Sequence, residues 1–333
     1  MATFFHGFDK GTFPGLAIME QLAKNTCLKW CGYYLDNESK DDAKLKNPKL
    51  KWSSASIGAL YSMGWGIAPI YLGKSTRSHQ TTKRGEPQLN LGFQRVREDV
   101  EGLLYKDAKI LAAARSAARR NHHFVESPTK EGQRFVDWTV QLLMNFEGYA
   151  DGNEAVRFAR TCGILPPTVI YFDMENHPSP NEFFFPEWID YYRGWARALT
   201  TAHYGYGLYG FKELAAVVIE RFKQMSIFSV QVSPFVWIAQ YPDPPQAYSA
   251  TKSGIFKGSQ KTSGPLVQGD LTKFNNLAQS WQHIGGQQQK GPDGKFREVD
   301  ATLTWQVGNH WASPITVDLN SSIFPDPGRP YII

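Results

Sequence analysis

The segment TVIYFDMEN, Thr168–Asn176, decides the fold. Val169, Ile170, Tyr171 and Phe172 are β-branched or aromatic, the side chains that suit a pleated, buried segment. The run then passes directly into Asp173-Met174-Glu175. Consecutive rather than alternating apolar positions mark a strand covered on both faces, as the strands of parallel sheets are. Side chains alternate along a strand, so Asp173 and Glu175 share a face, with Cα atoms roughly 6.5–7 Å apart. In a parallel barrel the C-terminal ends of the strands build the active site. A buried strand ending in two carboxylates is what such a site would require.

Outward from this strand, apolar runs and helical patterns alternate. Strands are expected at FFHGFD (4–9), LKWCGYYL (28–35), GIAPIYLGK (66–74), GYGLYG (205–210), FVWIAQY (235–241), AQSWQHIG (278–285) and ITVDLNS (315–321). Helices are expected at PGLAIMEQLAKN (14–25), with Pro near its first turn, and at WSSASIGALYSMG (52–64), capped near Ser53 or Ser54 and closed by Gly64. Three more follow at 151–163, 185–204 and 212–225. About eight strands with helices between most of them predict an α/β fold, a (β/α)8 TIM-like barrel forming one domain over 1–333 and irregular in its last strands. Residues 75–150 interrupt the rhythm with a polar stretch, STRSHQTTKRGEPQ, and two helical patterns over 93–121 and 132–149. They read as a helical insertion after the third strand. Residues 242–276, rich in Pro, Gly and Ser, read as a second insertion, a loop.

Two other strands carry acids at the matching place. FFHGFD finishes on Asp9, and ITVDLN carries Asp318 just before Asn320. The first and last strands of a closed barrel are neighbours, and the fourth stands across the mouth. Asp9, Asp173, Glu175 and Asp318 are therefore expected around one cleft. Clustered carboxylates repel, so one of them is expected to hold a proton that it can donate to a leaving oxygen. A charged neighbour would stabilise an oxocarbenium-like centre, the division of labour of glycoside hydrolysis. A cation held by these carboxylates with His6, His177 or His283 is the other chemical reading.

Composition agrees without deciding. Hydrophobic residues make up 42% of the 333 and aromatic residues 14%, ample for a large core and for sugar-stacking walls. Formal net charge is +5, which favours anionic partners but does not choose among them. Three cysteines, Cys27, Cys31 and Cys162, cannot complete a disulfide framework, and Cys27-x-x-x-Cys31 lacks the second half of a zinc site. Gly205-x-Gly207-x-x-Gly210 matches a dinucleotide fingerprint as a string, but its glycines lie within a strand rather than after one. No nucleophile elbow or Walker loop is present, and His122-His123 beside Arg119-Arg120 reads as a solvated helix end.

Phe8-Asp9, Tyr171 to Glu175, Trp237 to Tyr241, Trp281-Gln282 and Val317 to Asn320 occur in the order of the family-25 glycoside hydrolases, lysozyme-like muramidases, which this sequence resembles. GFDKGTFPG, GWGIAPIYLGK, the run from Asp151 to Asn176, and GLYG more closely resemble a glycoside hydrolase-like family, number 1906 among domains of unknown function. The resemblance spans nearly the whole chain outside 75–150 and 242–276. It implies a barrel that cleaves a β-1,4 glycan of bacterial peptidoglycan. By this likeness Glu175 is the general acid, Asp173 assists by positioning the substrate's N-acetyl group or stabilising charge, and Asp9 and Asp318 shape the electrostatics and hold substrate or water. Tyr71, Tyr209, Trp237, Tyr241, Trp281, Gln282 and Asn320 would bind the glycan. No metal, cofactor or nucleic acid is implied. A non-catalytic glycan-binding barrel and a metal-dependent phosphodiesterase remain alternatives. The segment MATFFHGFDKGTFPG lacks a basic region followed by an apolar run, and no span long enough for a membrane is seen. The expectation is synthesis in the cytoplasm, with access to a cell wall through non-classical export or phage lysis, and so a delivery apparatus or phage partner.

Overall fold

The computed structural model describes residues 5–35, 51–52, 56–72, 145, 148–173, 186–210, 234–239, 247–257, 280–284, 287–290, 296–299, 302–322 and 324–329. In chain order these form β1 (Phe5–Asp9), α1 (Leu16–Asn25), β2 (Trp30–Tyr34), α2 (Ile57–Ser62), β3 (Gly66–Tyr71), α3 (148–161), β4 (Val169–Asp173), α4 (Pro186–Thr201), β5 (Gly205–Gly210) and β6 (Phe235–Ala239). Then come β7 (Ala247–Thr251), β8 (Gly254–Lys257), β9 (Ser280–Ile284), β10 (Gln287–Lys290), β11 (Phe296–Val299), β12 (Thr302–Val307), β13 (His310–Trp311), β14 (Ile315–Thr316) and β15 (Asp318–Ser322).

Eight of the strands close into a barrel in the order β1-β15-β9-β6-β5-β4-β3-β2. Every neighbouring pair from β1 through β2, β3, β4, β5 and β6 to β9 is parallel. β15 is antiparallel to both of its neighbours, β9 and β1. The fold is thus mixed α/β and not the regular (β/α)8 barrel that the repeat predicted. The reason lies in the last connection. A parallel crossover needs a return segment, usually a helix, to carry the chain back to the starting end. After β9 the described residues are the hairpin β10–β11 and the short strands β12, β13 and β14, none helical. Only Val317 separates β14 from β15, so the chain enters the barrel from the end at which β9 left it.

The expected loop 242–276 also contains regular structure. β7 and β8 pair antiparallel as a hairpin, and β7 pairs parallel with β12. With β13 and β14 they form a small sheet beside the barrel. Tyr248, Ala250 and Ile255 from this hairpin, with Leu303 and Trp305 of β12, join the same core as Met19 and Leu22 of α1. The alternation Tyr248-x-Ala250 marks β7 as a strand; the surrounding Pro, Gly and Ser masked it. Of the expected insertion 75–150, residues 145 and 148–150 are described, and 148–150 are the first turn of α3. The rest, the helix expected at 212–225 and the caps expected at Ser53 or Ser54 lie outside the described residues. α2 is capped by Ser56, whose side chain accepts from the Ala59 amide at 3.3 Å, and Gly64 follows it at φ 86°.

Strand alternation divides the core in two. Inside the barrel lie Trp30, Ala68, Ile70, Val169, Tyr171, Tyr209, Trp237 and Ala239. Outside, Phe8, Tyr71, Ile170, Phe172 and Leu208 pack with Tyr191, Tyr192, Trp195 and Leu199 of α4. Both strand faces are buried, which is why the strands read as continuous apolar runs. The string Gly205-x-Gly207-x-x-Gly210 lies in β5 as the sequence indicated. A Cβ on Gly207 would come 2.5 Å from the Tyr171 ring, so this glycine makes room for a large aromatic inside the barrel and cradles no phosphate.

The N-terminal end of the barrel is sealed by residues 324–329. The Gly328 carbonyl accepts from the Val169 amide at 2.7 Å, and the Pro327 carbonyl accepts from the Tyr171 hydroxyl at 3.0 Å. Asp326 accepts from the Ile67 amide at 3.0 Å. Any opening of the barrel to a ligand must then be at the other end.

Candidate active site

At that other end, three of the four expected acids are described. Asp9 closes β1 and is fully buried. Asp173 closes β4, the inner-face partner of Val169 and Tyr171, and is 4% exposed. Asp318 is half-buried and opens β15, where it pairs in register with Asp9. The expectation that all three meet one mouth holds for strand placement, but Asp318 arrives at the start of an antiparallel strand and not the end of a parallel one. The reversal brings the beginning of β15 to the level of the C-terminal end of β1. β4 stands three strands from β1 around the ring, through β2 and β3. Glu175 and Tyr241 lie outside the described residues, as does the side chain of Trp281, whose backbone is in β9.

Asp9 is held by two donors. The Tyr34 hydroxyl donates to Oδ1 at 2.9 Å, and the Asn320 Nδ2 donates to Oδ2 at 2.8 Å. A carboxylate accepting at both oxygens is the partnering a buried charge requires. Gly32, beside it on β2, is the space that admits it: a Cβ there would lie 2.5 Å from the Asp9 Cβ. Asn320 is itself oriented from the far side. The Trp237 indole, which can only donate, gives its Nε1–H to the Asn320 Oδ1 at 3.0 Å. That fixes the amide so that Nδ2 faces Asp9.

A second polar pair lies beside the first. Gln282 on β9 neighbours Asn320 on β15 in register and is fully buried. Its Oε1 accepts a short hydrogen bond from the Tyr209 hydroxyl. Its Nε2 is buried and has no hydrogen-bond partner among the described residues. Tyr209, Trp237, Gln282 and Asn320 therefore do lie inside the barrel near the acids. The two aromatics are core residues rather than exposed sugar platforms. Trp237 is wedged among Trp30, Tyr171 and Tyr209 with ring centroids 5.1, 5.7 and 4.6 Å away.

Tyr71 belongs elsewhere. On β3 the inward positions are Ala68 and Ile70, so Tyr71 points out, stacks on Trp195 at 5.4 Å and donates to Glu154 Oε2 at 2.9 Å. Its expected role in glycan binding is corrected by this parity. His6 is likewise on the outer face of β1, its Nδ1 3.1 Å from the Ser321 Oγ, with its pKa lowered by burial. It does not join the acids. His177 and the side chain of His283 lie outside the described residues. The cysteines are all free, and burial raises each thiol pKa, Cys27 to about 11, so none supplies a thiolate nucleophile near neutral pH.

Two residues near the acids escaped the sequence reading. Tyr34 could have been found by parity, since Trp30, Gly32 and Tyr34 share the inner face of the strand beside Asp9. Tyr192, on α4, has its hydroxyl pKa raised by burial first and by the charge of Asp173 second, which puts it within the field of that carboxylate. Its pattern in the sequence is only that of a buried helical position.

A family model described as the Rv2525c-like, glycoside hydrolase-like domain matches residues 21–291, well over half of the chain. The chain belongs to this family. The Rv2525c-like match covers β2 through β10 and includes Asp173, Tyr209, Trp237 and Gln282. Among solved structures, an uncharacterized B. stearothermophilus protein is similar at 14% identity and TM-score 0.43, covering 95% of this chain and 94% of that one. The Mycobacterium tuberculosis Tat-secreted protein Rv2525c, solved with HEPES, is similar at 11% identity and TM-score 0.44, covering 97% and 98%. The same protein solved with L-tartrate gives 11% identity and TM-score 0.43, covering 98% of each chain. No curated protein matches.

Proposed function

We propose that this glycoside hydrolase-like protein is a glycosidase that cleaves a β-1,4 glycan of bacterial peptidoglycan, in the manner of the family-25 muramidases. The observation that carries this reading is the placement of Asp9, Asp173 and Asp318 at one end of a barrel whose opposite end is sealed. Glu175, two residues beyond Asp173, is the proposed general acid. In that role it protonates the departing glycosidic oxygen. Asp173 positions the substrate's acetamido group or stabilises the developing positive charge. Asp9, held by Tyr34 and Asn320, contributes fixed negative potential, and Asp318 beside it holds substrate or water. Access to the wall, through export by a delivery apparatus or release by phage lysis, is part of the same proposal.

The test is digestion of purified peptidoglycan, with mass analysis of the new sugar ends. Muramic-acid reducing ends, lost in Glu175→Gln, are the expected result. Intact walls after incubation with folded protein would remove the enzyme reading. Retained wall affinity in both proteins without cleavage would favour a binding module instead.

A further inference from the structure

Among the buried polar atoms near the acids, one is left incomplete. Gln282 is fully buried on the inner face of β9, one strand from Asn320. Its carbonyl oxygen is taken by Tyr209, and its Nε2 has no partner among the described residues. An amide with two N–H donors and neither used is a standing cost in a folded chain. Nearby polar groups are placed with care: Trp237 orients Asn320, and Asn320 completes Asp9. Ala239, paired in register with Gln282 on the other side, leaves its neighbourhood small and apolar. Burial of a donor against apolar atoms strengthens its bond to whatever acceptor reaches it.

We infer that the Gln282 Nε2 is a ligand-reading donor, completed by an acceptor oxygen of a bound saccharide. This rests on the saccharide reading proposed above, though not on turnover. Tyr209 is its positioning residue: by occupying Oε1 it leaves the N–H side of the amide for the ligand. The oxygen is either an acetamido carbonyl or a ring hydroxyl, since both accept from an amide N–H.

Binding by calorimetry and thermal unfolding of the same samples test this. The probes are triacetylchitotriose and cellotriose, and the variants are Gln282→Met and the double variant Tyr209→Phe with Gln282→Met. Methionine keeps the length and removes the amide. The double variant also removes the hydroxyl that the first would strand, so it guards against a simple folding defect. A ligand-reading donor predicts roughly tenfold to hundredfold weaker binding in the double variant, with Tm equal to or above wild type because an unmet donor is gone. Loss confined to triacetylchitotriose identifies the carbonyl; loss with both probes identifies a hydroxyl. Unchanged affinity in a folded double variant overturns the inference, as does failure of the wild type to bind either probe. Because no cleavage is read, an inactive but saccharide-binding protein would still support it.

Discussion

Asn320→Asp isolates one hydrogen bond at the centre of the acid group. The substitution is isosteric, and the new oxygen facing Trp237 still accepts from its indole. What changes is the side facing Asp9, where an N–H donor 2.8 Å from Oδ2 becomes an oxygen. Two carboxylates at that distance cannot both be ionised, so the folded protein must take up one proton. A carboxyl with a reference pKa of about 4 costs about 1.36 kcal/mol per unit to protonate above it, or about 4 kcal/mol at pH 7. The new O–H···O bond replaces the lost N–H···O, so this proton uptake is the main term. The folded pair's pKa is raised above its unfolded value. Its contribution is therefore fully present below about pH 4 and lost as pH rises. Urea unfolding followed by tryptophan fluorescence from pH 4 to pH 8 should show the variant nearly as stable as wild type at pH 4. It should then lose about 1.4 kcal/mol per pH unit relative to wild type. A deficit below about 1 kcal/mol at pH 7, or one that does not vary with pH, would refute the Asn320–Asp9 contact as the support of that carboxylate.

Three other substitutions probe the outer face and the sealed end. Tyr71→Phe, which strips a hydroxyl from the outer face, should lower stability by about 1 kcal/mol and leave triacetylchitotriose affinity unchanged; a selective loss of affinity would return Tyr71 to the binding wall. His6 has a lowered folded pKa, so the stability it lends is present above about pH 6.5 and lost as pH falls through the folded value. His6→Asn should flatten that part of the stability–pH curve, and an unaltered acid slope would count against the buried neutral ring. Asp326 is shifted the other way, raised above 3.8 by burial despite the amides of Ile67 and Gly328 and the charge of Arg329. Its contribution is complete below that value and fades as pH rises, so wild type should lose ground to Asp326→Asn between acid and neutral pH, and a gain would show the sign to be wrong.

Much of the barrel was legible because local chemistry specifies it. The runs at 30–34, 66–71, 169–173 and 205–210 are apolar at successive positions because one face meets the barrel interior and the other meets the outer core. Direction is different. Nothing in ITVDLNS says which way the strand runs, since its alternation is the same read either way. Direction was set by the segment before it, which forms short strands where the repeat predicted a helix. Parity was the other gap. Tyr71 has the composition of a sugar wall, yet Ala68 and Ile70 occupy the inner face and turn it outward. The same rule, applied strand by strand, would have exchanged Tyr71 for Tyr34.

The acids themselves were found by position alone, and their supporting groups explain why position suffices. A fully buried Asp9 is tolerable only with donors already in place, and those donors come from β2 and β15, its two neighbours in the barrel. Asn320 can serve only because Trp237, from β6, holds its other end. Four strands thus converge on one carboxylate, with β1 and β15 drawn from opposite ends of the chain. A buried charge supported from that many strands is costly to assemble and useless to a core that needs only packing. Its retention at the unsealed end, beside Asp318 and level with the end of β4, is therefore better explained by what binds there than by what holds the barrel together.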